Sequence, residues 1–432
     1  MMKFKFTYLR YQLIFWVTLI LFVMPTPYLA EANQDAANIQ ANPDLCSTHL
    51  CFTSKADRDE FWQENNCTSK SCQIASNVCD QEEVREGYTL LQIKQRLDKI
   101  NAGLADPKQS ASCASQKPQL DTLINQMTNA LISNDVYSDS PQGYLPKGIE
   151  RISNNDAAKL ANIGLTPDYL VDKDSKFFAS VYYNQNTKQY IVANRGTVFD
   201  QALNPFAGDN SVITDVKQAL GYPTTQFDTD ATNLANKIAK EGARNVVFTG
   251  HSLGGGLAAL EATIIGGTAM TFDAGGVSNS TLARNNKDNK QAKHIDNFYT
   301  EGEVLNQIQG KNLKDALACA LKNEPIRTNL ILSYLAHLAG APDKDQAMSV
   351  PLPRAMGNQN AIPLTTWDAG YYTDNPDSLD SFQNRPGKTN SEQLAQPKTG
   401  TCLSDIVREG GYHSMDHVIF GLNYQLSQLL CH

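Results

Sequence analysis

The chain has 432 residues, 41% of them hydrophobic and 19% charged, a balance that excludes disorder throughout and leaves room for one large domain with attachments. No basic run offsets the net charge of −8. That excludes a nucleic-acid partner, because binding phosphates needs a basic face.

Chain order begins with a targeting signal. Lys3, Lys5 and Arg10 form a positive head, Leu13 to Met24 is an almost unbroken apolar run, and Pro25 and Pro27 break it before Ala30 and Ala32. The expectation is a cleaved secretory signal peptide over residues 1–30, since the run is short for the roughly 20 residues of a membrane span. Cleavage after Ala30 removes three positive charges and no negative ones, taking −8 to −11. The location expected is secreted or periplasmic. Residues 31–44 are polar and rich in Asn and Ala, and read as a linker.

Residues 45–136 read as a cysteine-rich, helical accessory segment. Cys46, Cys51, Cys67, Cys72, Cys79 and Cys113 account for six of the nine cysteines, and clustering of that kind in an exported chain reads as disulfides. Zinc is the weaker reading, because C-x4-C and C-x6-C are not knuckle spacings and only His49 lies among them. Cys402 and Cys431 form a further candidate pair. Cys319, in the helix-like stretch Leu313 to Leu321, is expected to be the odd free thiol. Helical spacing is expected from Glu83 to Lys99, and again from Leu120 to Ile132 after Pro118.

From residue 137 to 432 the texture is that of an α/β domain with a mostly parallel sheet. Phe177–Tyr183 and Gln189–Asn194 are β-rich runs joined by polar turn residues, a hairpin signal. A helical stretch over 228–240 follows, then a buried strand at Val246–Thr249, a helix at Leu257–Ile265 and a strand at Ala269–Phe272. His294–Tyr299 is a further strand candidate. Residues 341–400 are rich in Pro, Asn, Asp and Gly without a period, and read as a long loop insertion. The acidic residues there, Asp368, Asp374, Asp377 and Asp380, lack calcium-loop spacing and read as a solvated face.

The segment carrying chemistry is Gly250-His251-Ser252-Leu253-Gly254, set between that buried strand and a helix rich in small residues. G-x-S-x-G in this context is a nucleophile elbow: Ser252 occupies a strained turn that Gly250 and Gly254 permit sterically. The same turn aims the helix N-terminus at the reacting carbonyl, with the Leu253 N–H as an oxyanion donor.

A serine nucleophile needs a base, and in this fold the chain order is Ser, acid, His. His413, in a Gly-Gly loop before an apolar helix, is expected to be that base, with His417 one turn further on as the fallback. His294, His337 and His432 fit less well. The acid should end a strand between them, and Glu303 is expected there, with Glu301 and Asp273 behind it. For Asp273, a turn residue before Gly275-Gly276 is the preferred reading.

From residue 137 onward these motifs resemble the class 3 lipases, especially the bacterial lipase group that includes type VI secretion phospholipase effectors. Tyr190-Ile-Val-Ala-Asn194-Arg195-Gly196-Thr197 is similar to their F-R-G-T element, with Asn194 in place of Phe. The resemblance implies Thr197 as a second oxyanion donor. Asp215 to Gly221, Thr271 to Gly276, Gly302 to Gln307 and His413 to Ile419 resemble further family segments, Val216 replacing a Trp. An α/β-hydrolase fold is implied, with activity on lipid esters, including phospholipids, at a membrane surface. The residues between Thr197 and Asp215 suit a mobile flap over the site. No metal or organic cofactor is expected. The competing readings are an esterase or peptidase acting on a small or polymeric substrate, and a non-catalytic binding protein on the same scaffold.

Overall fold

The runs of Val, Ile, Phe and Tyr that alternate with helical stretches assemble into one sheet. A computed structural model describes residues 81–105, 114–139, 141–197, 214, 215, 217, 218, 221–311, 351–363, 413–427 and 429. The signal peptide, the linker, all nine cysteines, His337 and residues 364–400 lie outside the described residues, and so do the expectations placed on them.

The sheet has eight strands: β1 (Ile149–Ile152), β2 (Val171–Asp172), β3 (Phe177–Asn184), β4 (Gln189–Asn194), β5 (Val246–His251), β6 (Thr268–Phe272), β7 (Ile295–Thr300) and β8 (Asn358–Ile362). Its order is β1-β3-β4-β5-β6-β7-β8, with β2 paired to the other part of β3. β3 and β4 form the expected antiparallel hairpin. From β4 to β8 every pairing is parallel, as strand–helix–strand succession requires.

Three strands were not expected: β1, β2 and β8. Asn358–Ile362 lies inside the stretch read as loop, yet it forms β8, parallel to β7. Its sequence, Asn-Gln-Asn-Ala-Ile, carries no apolar alternation, because an edge strand needs only one paired side and keeps its polar side chains in water. Two helix starts also move. The helix after Pro118 begins at Lys117, which places the proline in the first turn, where its missing N–H costs nothing. The helix after the elbow begins at Leu253 rather than Leu257.

Helices cover both faces. On one face lie α3 (Thr232–Lys240), entered through a π-helical stretch at Gln226–Ala231, and α4 (Leu253–Ile265). Leu234, Ile238, Leu257 and Leu260 there pack with Val181, Val192 and Phe248 of the sheet. On the other lie α1 (Gln81–Ala105), α2 (Lys117–Asp135) and α6 (Met415–Ser427). Leu97, Leu120, Met127, Val418 and Leu422 there share a core with Phe272, Phe298 and Ile362. The helices between residues 81 and 135, set apart by sequence as accessory, thus bury their apolar faces against the same sheet. The short helix α5 (Val304–Ile308) follows β7.

A buried polar node ties α2 to the antiparallel end. Asp135 accepts from Arg151 Nη1 at 3.1 Å, Tyr182 Oη at 2.7 Å and the Gln142 N–H at 2.6 Å. Arg151 also donates to Ser180 Oγ. Arg151→Ala strands a carboxylate in this low-dielectric pocket, and breaking a buried pair from one side costs about 3–5 kcal/mol. Urea denaturation is expected to show a loss of that size, an unchanged midpoint counting against the node.

Candidate active site

The parallel register sets the site. Asn194 of β4 pairs with Gly250 of β5, His251 with Phe272 of β6, and Phe272 with Phe298 of β7, so these strands end side by side. Residues that follow each strand must therefore meet at one sheet edge: Thr197 after β4, Ser252 after β5, Asp273 after β6 and Glu303 after β7. Ligands in open parallel sheets gather at this edge for the same reason.

Ser252 sits at φ 58° and ψ −128°, a conformation an L-residue holds only under constraint. Its neighbours allow the turn. A Cβ on Gly254 would lie 2.2 Å from the Asn194 carbonyl oxygen, and one on Gly250 would lie 2.4 Å from the carbonyl oxygen of Gly254. Both expected glycines are thus required by close backbone approach. The Ser252 carbonyl accepts the N–H groups of Gly255 and Gly275, which pin the turn to the loop after β6. Leu253 is the first residue of α4, so its N–H is among the first-turn donors that lack an intrahelical acceptor.

His413 Nε2 lies 2.8 Å from Ser252 Oγ, and its Nδ1 lies 2.6 Å from Glu303 Oε1. With the proton on Nδ1 donated to Glu303, Nε2 is left to accept the serine hydroxyl. All three side chains are buried. Glu303 caps α5, and its oxygens also accept the N–H groups of Leu305 and Asn306 at 2.5 and 2.8 Å. Two backbone donors at a helix start suit a negative charge. The fallback His417 lies half-buried one turn along α6. Glu301 is exposed, away from this buried chain of hydrogen bonds. Thr197 is buried, and its hydroxyl donates to Asp215 Oδ2 at 2.9 Å.

Three further groups crowd the same centre. Asp273, read from sequence as a turn residue, is buried at φ 42° and accepts from the Thr300 N–H at 2.7 Å and from its hydroxyl at 3.3 Å. The His251 ring lies against His413 at a 34° tilt with centroids 4.8 Å apart, and Tyr137 Oη lies 2.9 Å from its Nδ1. Sequence reasoning left His251 and Tyr137 without a role, because nothing in spacing says that a residue 114 positions upstream folds over the elbow.

Electrostatics separates the titratable groups. Burial pushes the Asp273 carboxyl well above the carboxylate range, the Glu303 charge adds to this, and the pull of His413 and Thr300 is weaker. The neutral form of Asp273 is thus favoured. Burial works to lower His413, but the charge and hydrogen bond of Glu303 outweigh it and hold the imidazole above its usual value. Burial, with the charge of His413, keeps His251 neutral. Ligand atoms of His251, Asp273 and His413 lie within 4.8 Å of one another, the donor types a divalent ion takes. Both His413 nitrogens are already engaged by Ser252 and Glu303, so this arrangement is set for proton transfer.

Comparison with known families adds one decisive observation. The Tle-like phospholipase domain matches residues 128–349, just over half of the chain. The chain belongs to the Tle-like phospholipase family. A curated relative, the extracellular phospholipase A1 of Serratia liquefaciens, is 39% identical over 167 residues, 38% of this chain and 46% of that protein. The chain thus matches about half the length of that relative. The phospholipase-domain match includes the Ser252 elbow and Glu303 but ends before His413, which lies two residues ahead of α6.

Proposed function

We propose that this chain is a serine hydrolase of lipid carboxylic esters, acting as a phospholipase A or lipase. The observation that carries the reading is the continuous hydrogen-bonded chain from Ser252 Oγ through His413 to Glu303. His413 Nε2 takes the serine proton as Oγ attacks the ester carbonyl carbon. The oxyanion is held by the N–H groups of Leu253 and Thr197. The Thr197 hydroxyl is already committed to Asp215, so its backbone N–H is the donor in this reading. The tetrahedral adduct collapses, the acyl–oxygen bond breaks, and His413 returns the proton to the departing alcohol. Water, deprotonated by His413, then releases the fatty acid from Ser252. Glu303 keeps the imidazole oriented and offsets its charge.

The substrate class follows from the family and from the name of the Serratia relative. That relative is called extracellular, which supports the reading of residues 1–30 as a signal for export. The test is to offer the mature protein phospholipid vesicles, triacylglycerol emulsions and short p-nitrophenyl esters, and to identify the products. Fatty acid and lysophospholipid are expected. Turnover of short esters alone would make it a small-ester esterase, and no turnover of any ester would make it a binding protein. Protein recovered from outside the cytoplasm is expected to begin at Glu31 or Asn33.

A further inference from the structure

Two polar side chains in the core have no part in the proton chain above. Asn194 ends β4, and Glu261 lies in the middle of α4 with its side chain facing the sheet. Both are fully buried. Asn194 Nδ2 donates to Glu261 Oε2 at 2.6 Å, while Asn194 Oδ1 and Glu261 Oε1 are each left without a partner. An amide facing a carboxylate produces this pattern: one bond, and two acceptors with no donor between them. A carboxylic acid at 261 resolves it, because its O–H donates to Asn194 Oδ1 while Oε2 still accepts from Nδ2.

We propose that Glu261 is a positioning residue that works as the neutral acid, locking the Asn194 carboxamide in a two-bond pair and so fixing the Thr197 strand end against the Ser252 elbow. This rests on the reading of Thr197 as an oxyanion donor. The coupling runs through the backbone. The Asn194 carbonyl is the atom that forbids a side chain at Gly254, and Arg195-Gly196-Thr197 continues directly from it. Asn194 is also where the chain departs from the F-R-G-T element, so a polar partner on α4 answers a polar residue on β4.

The surroundings favour the neutral form. Burial pushes the Glu261 carboxyl well above the carboxylate range, with only the Asn194 bond opposing it. The charged groups on elements packed against α4 have other company. Asp228 pairs with Arg284, Asp230 with Ser175 and Lys237 with Glu241, while Lys240 is exposed. His251, at the end of β5, is held neutral and lies against Tyr137.

Two variants test the pair, Glu261→Gln and Glu261→Leu, in the full mature chain. A carboxyl raised by folding lends stability that is complete below about pH 4.5 and is lost as pH climbs toward its folded value. Glutamine keeps two bonds to Asn194 and has no proton to lose. Glu261→Gln is therefore expected to raise Tm over the wild type by an amount that grows from pH 5 to pH 9, with kcat on a short ester within about two-fold. Glu261→Leu leaves the amide unpaired and is expected to lower kcat by about ten-fold with KM little changed, below the roughly hundred-fold cost of removing an oxyanion donor outright.

A Tm difference for Glu261→Gln that is flat in pH, or a Glu261→Gln enzyme as slow as Glu261→Leu, would overturn the neutral-acid pair. A Glu261→Leu enzyme with wild-type kcat would overturn the positioning role. The stability arm needs no turnover, so it stands apart from failure of the hydrolase reading. It also needs only the glutamine variant if the leucine chain does not fold.

Discussion

Ser252→Ala is expected to lower ester hydrolysis by on the order of 10⁴- to 10⁶-fold, down to what binding and the oxyanion donors supply without a nucleophile. Oγ is the atom bonded to His413 Nε2, and nothing else at the sheet edge replaces it. Stability should hardly change, because alanine keeps the Cβ and meets the same strained φ of 58°. A fluorophosphonate probe should label wild-type protein at Ser252 and leave the variant unlabelled. Labelling at another residue, or an active Ser252→Ala protein, would move the chemistry elsewhere.

His413→Ala should cost about as much, since a serine hydroxyl without a base is a weak nucleophile at neutral pH. His417→Ala, in the first turn of α6, should cost less than about ten-fold, and the reverse result would reassign the base. The pH profile gives an independent check. His413 must be neutral to accept the serine proton, and Glu303 holds its imidazole above the usual value near 6.5. The ascending limb of kcat/KM is therefore expected above pH 6.5. Glu303→Gln removes the negative charge, so the limb should shift to lower pH while the plateau falls by several orders of magnitude. A limb that stays in place would mean that another group sets the proton affinity of His413.

Asp273 and Glu303 are held differently, although the two carboxyls lie at neighbouring strand ends. Glu303 has two backbone donors and an imidazole; Asp273 has Thr300 alone and the repulsion of Glu303. Environment, not residue type, sets the two carboxyls apart. Spacing along the chain could not make that division, which is why Asp273 reads as a turn residue until the fold surrounds it.

The elbow was legible without coordinates because its demands are local. A strained turn between a buried strand and a helix needs small residues at fixed offsets from the serine, and Gly250, Ser252 and Gly254 meet them within five positions. The β3–β4 hairpin and the parallel β5–α4–β6 unit were legible for a similar reason, each being written in periodicity and turn residues. The edge strand β8 was not, since one-sided pairing leaves no pattern in Asn358–Ile362.

Tertiary structure decided everything that depends on distance across the fold. Glu303 lies 110 positions from His413 and Ser252 lies 161 from it, and only parallel register at one sheet edge brings them within hydrogen-bond reach. The closeness of His413 to Ser252, the tilted contact of His251 with His413, the reach of Tyr137 and the burial of Asp273 and Glu261 all come from packing. The sequence by itself determined the strained serine turn, because its steric demands fall on neighbouring residues. Which groups serve it was decided in three dimensions, because charge and hydrogen bonding act through space.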